Sequence, residues 1–452
     1  METQLTNNYL RYYALHLVLG LLIFIVPFIA NFYSAFVFFF GIFVIYLKKN
    51  KNDEALLFSG YVIGLEVLLR MTNAMHINEY GKYVVIVFLI FGMYYKGVSK
   101  TAYWYLLYLL LLIPSLIIGF LTLNIDTEIR KAISFNISGP ICLAIASLYC
   151  YDYKIRYELL LKLLLYISYP LLSIIIYLIL FNPSVKNVIV DTSSNFATSG
   201  GFGPNQVSTV LGLGMFLFFV QFLLNSKSKI QILVNFFLAS LFSYRCLLTF
   251  SRGGMYCGLV MILVFMIYVF SRAKNEIKLK IVIVSLFLMS TGGIVWYYSS
   301  FETDGLIEKR YANQDAIGRI KKSRFSGRED IAKTELNMFF ENPIFGVGVG
   351  KNKEFRQELT GMDVPTHSEF TRSLAEHGML GVISLLMLFF VPLFSYMNNK
   401  EHLFFLSFFL FWFITVNHAA MRLAAPALIY ALSLLKVKFY NYNEEDTSTL
   451  SR

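Results

Sequence analysis

The sequence predicts an all-α polytopic membrane protein with about 12–14 transmembrane helices and one large outer loop containing short helices. Three observations predict it. Of the 452 residues, 57% are hydrophobic and only 15% charged, too few to clothe a water-soluble domain of this size. The apolar residues fall in long runs, and Lys and Arg gather in short clusters between them. A formal charge of +11 so distributed reads as membrane topology rather than as a nucleic-acid-binding face.

Since a helix needs about 20 apolar residues to cross the hydrocarbon core, and fewer where aromatic ends lie in the interface, the runs resolve into about fourteen spans. They begin near residues 13, 32, 56, 83, 103, 132, 159, 204, 230, 255, 280, 373, 403 and 420. The first run continues into a second without a small-residue cleavage site and reads as an uncleaved anchor. Four cysteines (Cys142, Cys150, Cys246, Cys257) lie in or beside apolar runs, with no CxxC pair and no Cys/His cluster, which argues against disulfides and structural zinc.

Lys and Arg orient the bundle. With a cytoplasmic N-terminus, nineteen basic residues lie inside and seven (Arg70, Lys82, Arg130, Lys131, Lys186, Arg252, Arg422) in short outer positions, so both termini are expected in the cytoplasm. The long polar segment 300–372 then faces out, where there is neither ATP nor nucleotide sugar. Chemistry there requires a pre-activated substrate delivered through the membrane. The expected organisation is N-terminal transmembrane helices over 1–199, a core over 200–390 that includes this loop, C-terminal transmembrane helices over 391–440, and a polar cytoplasmic tail over 441–452. A smaller outer connection, 182–203, is expected to join the loop.

Between Lys309 and Lys333 the loop concentrates Lys309, Arg310, Arg319, Lys321, Lys322, Arg324, Arg328 and Lys333 against Asp315, Glu329 and Asp330, a local charge of +5. Such a patch suits a phosphate-bearing ligand, or else anionic lipid headgroups. Ser326-Gly327-Arg328-Glu329 has the form of a capping box, and Ala332, Leu336, Phe339 and Phe340 are expected to share the apolar face of the helix it starts. Arg328 then stands in the first turn, where free N–H groups already favour an anion.

Thr366-His367-Ser368-Glu369 repeats the device and is expected to place His367 in a first turn near the membrane surface. There it suits a general base, or a donor to a leaving phosphate; an interfacial histidine without a role is the plainer alternative. Arg252, in Ser251-Arg252-Gly253-Gly254, opens a span from outside. Arg245, seven residues earlier, is expected on about the same helical face, and a charge at that depth calls for a polar partner or cavity. Gln206, after Gly203-Pro204-Asn205, could hydrogen-bond a sugar or phosphate or simply start a helix. Glu66 and Arg70, one turn apart, are expected to neutralise each other. The run Gly346 to Lys351 fails as a phosphate-binding loop, because Phe345 replaces the first glycine and Asn352 the Ser/Thr, and it reads as a tightly packed turn.

Taken in order, Ser251-Arg252-Gly253-Gly254, Ser326-Gly327-Arg328, Asn342-Pro343 with Phe345 to Gly350, His367-Ser368-Glu369-Phe370 and Leu374-Ala375-Glu376-His377-Gly378 resemble the O-antigen ligase/polymerase superfamily. The resemblance covers about residues 200 to 390. It implies a GT-C-like fold and a metal-independent, inverting glycosyltransferase without a cofactor, working at the outer face of a bacterial inner membrane. It implies a polyprenyl (undecaprenyl) diphosphate-linked glycan as donor. By the same resemblance Arg252 and Arg328 bind the diphosphate and His367 orients or deprotonates the acceptor hydroxyl; Arg245, Gln206, Arg319, Lys321, Lys322 and Arg324 are the further candidates for donor binding. Ser368 stands where the family often has Asn. No Asp-x-Asp pair of the kind that holds a metal appears in the outer loop.

The acceptor remains open among lipid A core (a ligase), a second glycan (a polymerase) and a protein hydroxyl (an oligosaccharyltransferase). A lipid-linked glycan flippase is the competing class; it calls for charges along a central path and related halves, and neither is evident in the sequence. Membrane lipids are the remaining partners, and nucleic acid is not one.

Overall fold

The computed structural model describes residues 9–321, 323, 328–361, 364 and 366–439. Eight helices form the first half of the bundle: α1 (Tyr9–Ile25), α2 (Ile29–Lys48), α3 (Glu54–Met71), α4 (Tyr80–Lys96), α5 (Tyr103–Thr122), α6 (Ile129–Cys150), α7 (Tyr157–Phe181) and α8 (Pro204–Val220). Then follow α9 (Lys229–Leu248), α10 (Arg252–Arg272) and α11 (Asn275–Glu302). The outer segment carries α12 (Leu306–Tyr311), α13 (Arg328–Glu341) and α14 (Lys351–Thr360), and the chain returns through α15 (Glu369–Met397), α16 (Phe405–Val416) and α17 (Ala424–Leu432). Each of the fourteen expected spans corresponds to one of these helices. Among the described residues, nine helices are long and apolar enough to cross a membrane by length and composition. The protein is an all-α polytopic membrane protein, and the polar segment 300–372 does hold short helices.

Residue size fixes the packing. α7 and α8 are buried along most of their lengths. α3 approaches α7 at Gly64, where a Cβ would run into the Ile167 carbonyl. α8 meets α10 at Gly212, Gly254 and Gly258, where a Cβ would overlap the opposing backbone or Met215. By contrast, Phe32, Phe36, Phe39 and Phe43 of α2 and Leu286, Phe287, Met289 and Ile294 of α11 point outward. Apolar faces this extensive are stable only against lipid.

The two ends of the bundle carry separate charge networks. At one end Lys96 pairs with Asp53 at 2.5 Å and Lys436 with Asp152 at 2.9 Å. There Lys154–Arg156 (β1) and Lys436–Lys438 (β2) form a two-stranded parallel pairing that the sequence does not announce. At the other end Arg70 pairs with Glu66 at 2.9 Å, as the one-turn spacing implies, and also with Glu79 at 3.2 Å. Positions assigned to one side by the charge rule thus sit together.

Two details of the outer segment depart from expectation. The buried face of α13 is Ile331, Thr334, Glu335 and Met338, whereas Leu336 and Phe340 are exposed. The cause is Glu335, whose wholly buried carboxylate meets the wholly buried Arg356 of α14 at 2.5 Å and rotates the helix away from its apolar stripe. The proposed cap at Ser326 lies outside the described residues, while Glu329 accepts from Ser323 at 2.7 Å. The glycine run does form a packed turn. Gly346, Gly348 and Gly350 all have positive φ, and Val349 N and Gly350 N donate to the Ser115 carbonyl of α5 (3.0 Å) and the Glu376 carboxylate of α15 (2.9 Å). α15 is broken at Gly378 (φ 59°, ψ −139°), where Met379 N reaches the Pro343 carbonyl at 2.7 Å. The loop therefore fixes the angle at which the segment after His367 enters the bundle.

Candidate active site

α9 ends at Leu248 and α10 begins at Arg252, with Thr249 to Ser251 between them. The turn is built from specific bonds. Phe250 adopts a positive φ of 56°, and its carbonyl accepts from Nε of the buried Arg310 at 2.9 Å. Ser251 Oγ donates to Asn205 Oδ1 at 2.8 Å and accepts from Ser208 Oγ at 2.9 Å, tying the turn to the first residues of α8. The two glycines of the Ser-Arg-Gly-Gly motif have steric reasons. A Cβ at Gly253 would overlap the His418 ring, and one at Gly254 the Ser208 carbonyl. Arg252 is thereby presented at the first position of a helix, where the backbone favours anions.

The turn also corrects the expected relation of Arg245 to Arg252. Seven residues within one helix share a face, but these two belong to different helices, so the spacing does not align them. Arg245 is buried in α9, and its Nε and Nη1 have no hydrogen-bond partner among the described residues.

Arg328 opens α13. Burial, and then the charge of Arg252, lower its pKa. Burial followed by the charges of Arg252 and Arg328 brings Arg310 down to about 10. Lys321 is lowered by burial and then by Arg310. Lowering by neighbouring positive charge means that Arg310, Lys321 and Arg328 lie close enough to other cations for their charges to interact.

His367 precedes α15 rather than lying in its first turn. Ser368 is the N-cap and makes no side-chain cap bond. The expected capping box fails because Glu369 is engaged elsewhere, by an ion pair with Arg372 and by the Met421 amide at 3.3 Å. The His367 carbonyl accepts from Ala420 N at 3.1 Å, so the turn between α16 and α17 lies against it. Its Nδ1 is buried without a hydrogen-bond partner among the described residues. Burial first, then the charges of Arg328, Arg422, His418 and Arg356, push its pKa down to about 3. The imidazole is therefore neutral, with a ring nitrogen placed to engage a proton.

The structure thus brings Arg252, Arg328 and His367 together, and adds Arg310, Arg422, His418 and Asn205, which sequence reasoning did not assign to the site. Arg310 and Arg422 were visible only as members of a basic patch and an outer charge cluster. The other candidates fall as follows. Lys321 is half-buried beside Arg310; Arg319 is exposed and pairs with Asp315 at 2.8 Å; and Gln206 folds back over Gly203 in the first turn of α8. Lys322 and Arg324 lie outside the described residues. Thr192 of the connection 182–203 donates to the Gln314 carbonyl at 2.8 Å, so this connection does join the loop. Among the described residues, no three His, Cys, Asp or Glu side chains converge as a metal site.

Fold and site together define a polytopic membrane protein with a cationic, histidine-bearing cluster at one end of its bundle. Residues 236–386, about a third of the chain, match the family model described as O-antigen ligase, which places that segment in the O-antigen ligase-like superfamily. The match contains Arg252, Arg310, Arg328 and His367, whereas Asn205 and the turn with His418 and Arg422 fall outside it. No curated protein matches the chain.

Proposed function

We propose that this protein transfers a glycan from a polyprenyl (undecaprenyl) diphosphate carrier to an acceptor hydroxyl at the outer face of the bacterial inner membrane, in the manner of an O-antigen ligase. The observation that carries this reading is the convergence of Arg252, Arg328 and a neutral His367 with an unpaired, buried ring nitrogen. The acceptor oxygen attacks the anomeric carbon from the face opposite the carrier, which inverts the configuration. The bond from that carbon to the diphosphate oxygen breaks, its electron pair leaves on the diphosphate, and the hydroxyl proton passes to His367. Fixed guanidinium charge stabilises the leaving group as its charge develops, and this supplies the electrostatic catalysis without a metal.

The donor also tunes the base. Burial first and the neighbouring cations next hold the imidazole neutral, and a bound diphosphate offsets the cations, which raises the proton affinity of His367 at the moment it is needed. The acceptor is a glycan, the lipid A core or a protein hydroxyl. The test is transfer of a lipid-diphosphate-linked oligosaccharide by Arg252→Ala, Arg328→Ala and His367→Ala. Each is expected to insert normally and lose transfer. Full activity in any one of them removes that residue from the mechanism.

A further inference from the structure

Resting on the donor assigned above, we propose that Arg422, in the turn between α16 and α17 and outside the family-matched segment, is a further substrate-contacting residue that binds the diphosphate of the donor.

The first argument is how the turn is held. Met421 N donates to Glu369 (3.3 Å) and Ala424 N to Glu66 (2.8 Å), while the Met421 carbonyl accepts from Lys82 (3.2 Å) and the Arg422 carbonyl from Arg70 (3.1 Å). Glu66, Lys82 and Glu369 are buried, so charged side chains inside the bundle fix the backbone on both sides of Arg422. Keeping such groups out of water is costly unless the geometry they impose is needed.

The second is where the side chain goes. One Arg422 Nη donates to the Thr366 carbonyl, next to His367, and the guanidinium lies over the Phe135 ring at 5.7 Å. This fixes the plane of the fork within the site. Neither Nε nor the other Nη makes a hydrogen bond among the described residues, and no carboxylate there lies within ion-pair distance of Arg422. The result is a half-buried, pre-oriented cation with donors to spare, beside His367 and close enough to Arg328 for their charges to interact. A fork held in this way grips a phosphate bidentately with little ordering cost.

The experiment uses the full chain in detergent and two readouts. Calorimetric titration with inorganic pyrophosphate reads the anion site without requiring turnover. Steady-state transfer from a lipid-diphosphate-linked oligosaccharide reads donor KM and kcat separately. Arg422→Gln is expected to weaken pyrophosphate at least about tenfold and to raise donor KM by a similar factor. Arg422→Lys, which keeps the charge but loses the fork, is expected to recover part of both; it also serves if the glutamine variant fails to fold. Lys186→Ala, which removes an exposed outer cation paired with Asp304, should change neither readout. Equal pyrophosphate affinity in the wild type and both Arg422 variants overturns the proposal, as does a wild-type chain that binds no pyrophosphate. Pyrophosphate binding that depends on Arg422 in a chain that transfers no glycan would instead retain the anion site and reject the glycosyl-transfer reading.

Discussion

At the scale of single residues, charge and burial decide what the site can do. Arg310 spends its Nε on the Phe250 carbonyl, which holds a strained, positive-φ residue two positions before Arg252. It acts as a positioning residue. Arg310→Met should lower kcat for transfer by about 10–100-fold with a smaller change in donor KM, and Arg310→Lys should restore part of it; equal kcat in wild type and Arg310→Met would remove the role. His367 makes a prediction of opposite sign to a salt-bridged histidine. Its folded pKa lies below its free value, so its stabilising contribution is present above about pH 6.5 and is lost as pH falls towards the folded value of about 3. Denaturant titrations of the unliganded chain at pH 7 and pH 5 should show His367→Gln losing less stability on acidification than the wild type. Sequence motifs marked Arg252, Arg328 and His367, because each sits in a short recognisable context. They could not mark Arg310 or Arg422, whose places depend on carbonyls 60 and 56 residues away in the chain.

At the scale of elements, the bilayer made the helices legible and buried ionic pairs made the loop misleading. A spanning helix must be long and apolar, and that requirement survives any tertiary arrangement. α13 obeys no such rule. Its apolar residues suggest one face, and the Glu335–Arg356 pair turns the other inward, with Thr371 and Asn352 also donating to the carboxylate. Glu335→Gln should therefore destabilise the outer segment by about 3–5 kcal/mol, because Arg356 is left buried beside a neutral side chain. Unfolding of the purified chain checks this, and an unchanged midpoint would mean that the pair does not hold α13 on α14. The failed cap at Thr366 to Glu369 has the same origin: a glutamate assigned to a helix start by local pattern is claimed by Arg372.

At the scale of the whole molecule, the fold sorts charge to two ends and gathers the candidate site at one of them. The count of Lys and Arg foretold this sorting, because the positions it groups are brought together by contacts such as Lys436–Asp152 and Arg70–Glu79. Single cysteines at Lys154 and Lys438 should be protected from an impermeant thiol reagent applied outside, and those at Lys131 and Lys186 labelled. The four native cysteines are buried and should stay silent. The reverse labelling would put the candidate site in the cytoplasm and end the proposed chemistry. The identity of the acceptor was not legible, since no residue pattern in the loop encodes a sugar, a lipid or a protein surface. The most direct measurement incubates the reconstituted chain with lipid-diphosphate-linked glycan and hydroxyl acceptors, with no added metal or nucleotide. A glycosylated acceptor and released lipid diphosphate are expected, both lost with Arg328→Ala. Movement of the glycolipid between leaflets with no transfer would contradict glycan transfer and make the protein a transporter.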